Sequence, residues 1–170
     1  MRLSAMVGVA LGGAVVFTSV ATAQRPSPGT PPDDKVGVNV ALQVGGGSYQ
    51  FKGQGSCTHE PRGYIYGIAA KLWRVQQNEG QRFVMLTFWS PASGSGAMFS
   101  LRVTDGGKSY ETNTVKGTDA PPTKGSGSVT FAPAESGGTF TVNATAADGA
   151  KISGTIKCDA FRPAVAEGGN

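Results

Sequence analysis

Residues 55–66, with the sequence GSCTHEPRGYIY, hold more chemically versatile side chains than any other stretch of the chain. They include one of the two cysteines and the only histidine of the protein. Pro61 and Gly63 predict a corner over Thr58–Gly63, and binding residues concentrate on loops that a rigid scaffold carries. Aromatic and charged groups around such a corner would suit a sugar or a peptide. The candidate binding residues are His59, Glu60, Arg62, Tyr64 and Tyr66.

A structural interpretation competes with this binding site, and on the sequence alone we prefer it. Tyr64 and Tyr66 are two residues apart, so on a strand they would share one face and line the core. Arg62 would then pair with Glu60. The two tryptophans both lie in apolar segments and are predicted core residues: Trp73 and Trp89.

The common catalytic motifs are missing from the chain. A serine hydrolase of the usual type needs a histidine base, but His59 is the only histidine and no Gly-x-Ser-x-Gly sequence occurs. His59 and Glu60 resemble the start of a zinc-protease helix, yet Pro61 follows and a second histidine is lacking. Two cysteines and one histidine also fall short of a four-ligand zinc site. We therefore predict no bound metal, no cofactor and no enzymatic activity.

Paired carboxylates are the one catalytic chemistry that the sequence leaves open, because two acids can converge in space from distant positions. Glu60 is the only acid that has other reactive side chains beside it in the sequence. A hydrolase with paired carboxylates is therefore kept as an alternative.

The N-terminus has the features of a secretory signal peptide over Met1–Ala23. Arg2 supplies a positive charge, residues 5–17 form an uncharged apolar run, and Ala21-Thr22-Ala23 fits a small-x-small cleavage site. The run is shorter than the roughly 20 apolar residues of a membrane-spanning helix. We expect cleavage, secretion to the periplasm or the extracellular space, and no membrane insertion afterwards.

Cys57 and Cys158 are predicted to form one structural disulfide, since disulfides persist outside the cytoplasm. Both fall on core-facing positions of alternating segments: Cys57 shares its face with Phe51, and Cys158 shares its face with Ile156. A bridge that closes so long a loop would stabilise the fold by up to about 4–5 kcal/mol in the chain-entropy model.

The chain divides into four parts by composition. A signal peptide over residues 1–23 precedes a disordered, proline-rich linker over residues 24–35, a single β domain over residues 36–162 and a flexible tail over residues 163–170. The formal net charge is +4 with the basic residues dispersed. Nucleic-acid binding needs a concentrated basic face, so we expect no nucleic-acid partner. The oligomeric state is left open.

Short alternating segments separated by glycine-rich turns run through the domain. The chain contains 26 glycines, which suit turns and weaken helices. Residues 65–76 fit both a helical and a strand pattern, and we interpret them as a strand that pairs with Arg82–Trp89. About nine short strands with one disulfide predict an all-β fold, an antiparallel β-sandwich or barrel.

The function that these features indicate is that of an exported, non-catalytic β-domain protein. We expect it to act by surface contacts in the envelope or outside the cell, on a protein or polysaccharide that the sequence does not identify. The first alternative is a small carbohydrate-binding module, and the second is the hydrolase with paired carboxylates.

Overall fold

The computed structural model describes residues 35–164, which form β-strands and connecting turns without a helix. The predicted signal peptide, the linker up to residue 34 and the tail from residue 165 lie outside the described residues. Within residues 35–164 there is no helix of the length and apolarity that a membrane span requires.

Ten strands make up the sheet. Their bounds are β1 Lys35–Val44, β2 Gly47–Ile65, β3 Ile68–Glu79, β4 Arg82–Pro91, β5 Met98–Asp105, β6 Lys108–Asn113, β7 Ser126–Pro133, β8 Gly138–Thr145, β9 Lys151–Cys158 and β10 Arg162–Pro163. Nine of them follow the order β6-β5-β4-β3-β2-β1-β9-β8-β7 with antiparallel pairing. The short β10 pairs in parallel with β2 at Thr58 and His59, beyond the point where β1 begins.

Alternating apolar and polar residues explain why these segments form strands. In β1 every second residue from Val36 to Val44 is buried, while the residues between them point outward. Gly45 and Gly46 form the turn into β2 with φ values of 56° and 89°, a region that favours glycine because it has no Cβ. Similar tight turns follow β3 and β5, as the sequence predicts.

The inner face of the sheet packs into one continuous apolar core. Aromatic rings fill its centre: the centroids of Phe131 and Phe140 are 4.7 Å apart, and Trp73 lies 5.0 Å from Phe131. Trp73 is 8% exposed and Trp89 is 5% exposed, so the prediction of two buried tryptophans is confirmed. They belong to different clusters, since Trp89 lies on the outer face of the sheet.

The two ends of the strand order approach each other and nearly close the sheet into a barrel. The backbone of Asn113, at the end of β6, is hydrogen-bonded to that of Lys124, with N···O distances of 2.7 and 2.9 Å. The amide of Ala147, just after β8, donates to the carbonyl of Glu111 at 2.8 Å. The predicted all-β class is confirmed, and the closing contacts make it a barrel-like sheet.

The predicted disulfide is present. Cys57 on β2 and Cys158 on β9 are bonded, with their Cα atoms 6.3 Å apart and both side chains buried. β1 lies between these two strands, and its Val38 is directly opposite Cys158. The disulfide therefore links β2 to β9 across β1, near the N-terminal end of β1.

The predicted corner at Thr58–Gly63 is wrong. β2 continues through this segment to Ile65, and only a shift of register interrupts its pairing with β3 between Glu60 and Gly63. A proline is tolerated in a strand at an edge or a bulge, where its missing N–H breaks no ladder bond. Pro61 satisfies both conditions, because β1 pairs with β2 only as far as Ser56. The reversal instead occurs at Tyr66 and Gly67.

The strand interpretation of residues 65–76 is confirmed. β3 pairs with β2 on one side and with β4 on the other. Leu72 and Trp73 point to opposite faces, and both are buried. The helical pattern of this segment was therefore overridden by pairing on both edges, as tertiary context often overrides local propensity.

Candidate functional site

The structure does not bring the five predicted binding residues together. His59 lies on the inner face, where its ring stacks on Trp73 with centroids 4.4 Å apart and an interplanar angle of 16°. Its Nδ1 lies 2.9 Å from the carbonyl oxygen of Leu72. A carbonyl can only accept, so Nδ1 donates this bond. His59 thus caps one end of the core.

The other four predicted residues spread along the β2–β3 hairpin. Glu60 is opposite Leu72 and shares its outward face. Tyr64 is 77% exposed, so the interpretation of Tyr64 as a core residue is wrong. Tyr66 occupies the turn with a φ of 47° and packs against the outer cluster. The ion pairs found among residues 35–164 do not include one between Glu60 and Arg62.

A second apolar cluster lies on the outer face of the sheet. Leu72, Trp89 and Met98 are direct neighbours across β3, β4 and β5. Val115, from the connection after β6, covers this row and is 2% exposed. An apolar row on an outward face needs such a cover, because water would otherwise contact it.

The connection that covers this row, residues 114–124, is held by specific hydrogen bonds. Besides its backbone pairing with Lys124, Asn113 donates from its side-chain amide to the carbonyl of Pro122 at 3.1 Å. The amide of Thr118 donates to the carbonyl of Tyr66 at 2.9 Å. Thr114 accepts a bond from the amide of Phe99 at 2.9 Å. The connection is therefore a fixed wall beside the sheet.

Between this wall and the sheet lies an open trough of about 450 Å³. Two small side chains form its floor, Thr87 on β4 and Ser100 on β5, which are opposite each other. Tyr66, Trp89 and Val115 close one end. The remaining lining residues are mostly polar or prolyl: Met85, Leu101, Arg102, Glu111, Thr112, Asn113, Pro121, Pro122 and Lys124.

One carboxylate faces the trough, and two cations neutralise it. Arg102 Nε donates to Glu111 Oε1 at 2.8 Å, and Lys124 Nζ donates to Oε2 at 3.2 Å. The hydrogen bond from Arg102, and then that from Lys124, hold the pKa of Glu111 below its usual value. Glu111 is therefore ionised at neutral pH, where it can accept hydrogen bonds but cannot serve as a proton donor.

Trp89 separates the trough from a second depression. This smaller pocket, of about 110 Å³, is lined by Glu60, Tyr64, Arg74 and Trp89 among others. The indole Nε1 of Trp89 is buried and has no hydrogen-bond partner in the described part of the chain. Buried polar groups nearly always have a partner, so this N–H is an exception within residues 35–164, and its burial keeps it from direct contact with a molecule at the surface.

A third depression, of about 540 Å³, contains Arg62, Lys71 and Ser90. Lys71 and Ser90 are opposite each other, one position away from the pair formed by Leu72 and Trp89. Successive residues of a strand point to opposite faces, so Lys71 and Ser90 face away from the trough. Arg62 therefore lies apart from Glu60 and Tyr66.

The far end of the barrel holds a polar cluster that is structural in character. The hydroxyl of Tyr49 is hydrogen-bonded to the side-chain amide of buried Gln77. The guanidinium of Arg82 lies 4.4 Å above the Tyr49 ring and donates to Asp105 at 3.2 Å. Burial raises the pKa of Tyr49 to about 12. This phenol therefore stays neutral and closes the core rather than reacting.

No family model, curated protein or solved structure matches the chain. Residues 35–164 also contain no cluster of three or more His, Cys, Asp or Glu side chains that could hold a metal ion. The local geometry alone therefore has to indicate the function.

Sequence reasoning missed most residues of the trough. One signal was available: Asp105-Gly106-Gly107 is one of the glycine-rich turns of the sequence, it sets the register of its hairpin, and that register places Arg102 opposite Glu111. The role of residues 114–124 had no comparable signal, because their position over the sheet depends on contacts with distant residues.

Proposed function

We propose that the protein is an exported, non-catalytic binding domain that contacts a macromolecule through the outer face of β3–β6. Secretion is inferred from the signal-like sequence of residues 1–23 and from the disulfide, which is typical of proteins outside the cytoplasm. The partner classes considered are a polysaccharide and a protein.

The trough is the observation that carries this proposal. It is open, it has a fixed wall, and it presents polar groups beside two aromatic side chains, Tyr66 and Trp89. Preformed concave sites with a few well-placed polar groups are the usual form of ligand sites.

The distribution of carboxylates favours binding over hydrolysis. The trough contains one acid, Glu111, and the smaller pocket contains one acid, Glu60. Glycoside hydrolysis by the common mechanisms needs two carboxyl groups on either side of one bond. One of them has to be protonated, and the ion pairs of Glu111 oppose its protonation.

Binding is tested with the secreted form of the protein and two matched substitutions. Thr87→Tyr fills the trough, whereas Thr141→Tyr makes the same change at an exposed outward position of β8. We expect the wild type and Thr141→Tyr to be retained on one of a set of immobilised envelope polysaccharides or envelope proteins. Thr87→Tyr should lose retention at least tenfold while its melting temperature stays unchanged.

Equal retention of both variants would contradict the trough as the contact surface. Release of reducing ends from any polysaccharide of the set, lost in Glu111→Gln or Glu60→Gln, would contradict a non-catalytic function.

A further inference from the structure

We propose that the third depression, which contains Arg62, Lys71 and Ser90, is a binding site for a phosphate group. This inference goes beyond the proposed function, because Lys71 and Ser90 face away from the trough and the site can be tested without it. Arg62 was a candidate binding residue from the sequence, whereas Lys71 and Ser90 were not.

A bulge in β2 brings the two cations of this depression side by side. The pairing of β2 with β3 shifts register between Glu60 and Gly63. Two residues of β2, Pro61 and Arg62, are therefore opposite the single residue Lys71 of β3. A bulge of this kind redirects side chains and is common next to functional sites. Here it places Arg62 and Lys71 in the lining of one depression.

The positive charge of the depression is not balanced by the protein. Neither Arg62 nor Lys71 belongs to an ion pair within residues 35–164, and no acid from these residues lines the depression. Like charges that are opposite each other on neighbouring strands repel and destabilise the sheet. A bound anion would remove this repulsion, so the arrangement indicates an anionic ligand.

The other two depressions differ in charge from the third. In the trough, Arg102 and Lys124 are already paired with Glu111. In the smaller pocket, Glu60 accompanies the single cation Arg74. Of the three depressions, the third therefore attracts an anion most strongly.

The donors of the third depression match a phosphate better than a carboxylate. Arginine can donate two parallel hydrogen bonds to a phosphate, and lysine adds a point charge. Ser90 is directly opposite Lys71, and its hydroxyl supplies a further donor. A phosphate group presents three acceptor oxygens, whereas a carboxylate presents two, so three donor side chains favour the phosphate.

The rest of the depression leaves room for the group that carries the phosphate. Its volume of about 540 Å³ lies within the range of about 300–1,000 Å³ that is usual for small-molecule sites. Within the described chain, β1 pairs with β2 only as far as Ser56 and β10 only as far as His59, so no strand covers the β2 side. The remaining lining residues are small or prolyl: Pro61, Gly63, Ala69, Ala70, Pro91 and Ala92.

A soluble phosphate and the phosphate of a lipid headgroup both have the chemistry that this site would recognise, and two probes distinguish them. The ¹⁵N-labelled secreted form is titrated with inorganic phosphate at constant ionic strength. We expect saturable shifts of the backbone amide signals of Arg62, Lys71 and Ser90, and no shift at Thr141 on β8. In parallel, the protein is sedimented with vesicles of phosphatidylglycerol and, for comparison, of zwitterionic phosphatidylcholine.

Two double variants remove the same charge from different places. Arg62→Gln combined with Lys71→Gln takes both cations from the depression and should weaken binding at least about tenfold, as loss of charged hydrogen bonds would. Lys52→Gln combined with Lys151→Gln, on β2 and β9, should bind within about twofold of the wild type. All four side chains are exposed, so neither double variant should lower the melting temperature.

Binding of inorganic phosphate or of phosphatidylglycerol vesicles that only the first double variant loses would support the inference, and the probe that binds identifies the source of the phosphate. If neither probe binds, or if the two double variants behave alike, the depression is not a phosphate site. Thr87→Tyr should bind phosphate as the wild type does, because Thr87 lines the trough. Failure of the phosphate site therefore leaves the function proposed for the trough to its own test.

Discussion

The outer face of the sheet has two halves that differ sharply, although one continuous core lies beneath both. In the covered half, over β3–β6, an apolar row meets residues 114–124, and the trough opens beside it. In the open half, over β1, β9 and β8, the outward side chains are polar or small and include no large apolar residue: Thr141 is opposite Thr155, and Thr155 is opposite Ala41. This half has no covering segment within residues 35–164.

The difference shows what turns a sheet face into a candidate site. Strands of both halves alternate in the same way, so the periodicity of 2 does not distinguish them. The covered half differs by an apolar row that has to be shielded and by a long connection that shields it. Long connections in compact domains are often functional, and this one forms the wall of the trough.

The largest expected effect comes from removing the residue on which the covered half depends. Trp89→Ala leaves a cavity in the outer cluster and should destabilise the fold by about 3–5 kcal/mol. Thermal unfolding followed by circular dichroism measures the change, and Thr155→Ala is the control from the open half. That control should stay within about 0.5 kcal/mol of the wild type. Similar losses in the two variants would mean that the halves do not differ energetically.

The second-largest expected loss of stability concerns the whole fold and not only the covered half. Cys158→Ser removes the bond between β2 and β9, and we expect a loss of about 2–4 kcal/mol because the unfolded chain gains freedom. Cys57→Ser should give the same loss. Ligand affinity at 25 °C should not change, since neither cysteine lines the trough. A stability equal to that of the wild type would show that the bond is not a structural clasp.

A smaller effect is expected from releasing the wall of the trough. Asn113→Ala removes the side-chain bonds to the carbonyl of Pro122 and to the amide of Val115. The loss should be about 1–3 kcal/mol, and hydrogen exchange should accelerate over residues 114–124 while the core strands stay protected. Asn143→Ala, at an exposed position of β8, is the matched control and should leave exchange unchanged.

The smallest expected effect on stability is the contribution of Glu111, which depends on pH. The pKa of Glu111 is lower in the folded than in the unfolded protein, so its contribution to stability is present above its unfolded pKa. That contribution is lost as the pH falls through the folded value. Urea unfolding should therefore show a steeper loss of stability below about pH 4.5 in the wild type than in Glu111→Gln. Glu135→Gln controls for the charge, and parallel curves for wild type and Glu111→Gln would contradict the prediction.

Much of the scaffold could be predicted because its signals are local. The alternation of apolar and polar residues predicted strands, and the glycine-rich turns predicted their connections. Cys57 and Cys158 each fell on the inward face of a predicted strand, and this predicted the disulfide. The corner at Thr58–Gly63 could not be judged in the same way. Pro61 is compatible with either a turn or a strand bulge, and the choice depends on whether a neighbouring strand needs its N–H.

The candidate site was less predictable because it forms across strands. His59 and Glu60 are adjacent in sequence, yet strand alternation sends one to the core and the other to the outer face. Conversely, Glu60 and Trp89 lie far apart in sequence but share a pocket through the pairing of β2, β3 and β4. Grouping residues by their distance in the sequence therefore placed His59 and Glu60 in one site wrongly, and it missed the pocket that Glu60 shares with Trp89.

The amino-acid sequence by itself determined the all-β fold class of this protein. Its signals are local, because the alternation of apolar residues, the turn residues and the strand face that each cysteine occupies can all be read within a few residues of the chain. It also showed which motifs the chain lacks, since with a single histidine it cannot contain one that needs two. Only the tertiary structure decided where the trough lies. The register of β4, β5 and β6 places small side chains between the covered apolar row and the Arg102–Glu111 pair, and the trough lies over them. Both this register and the position of residues 114–124 over the row depend on contacts between residues that are distant in the sequence.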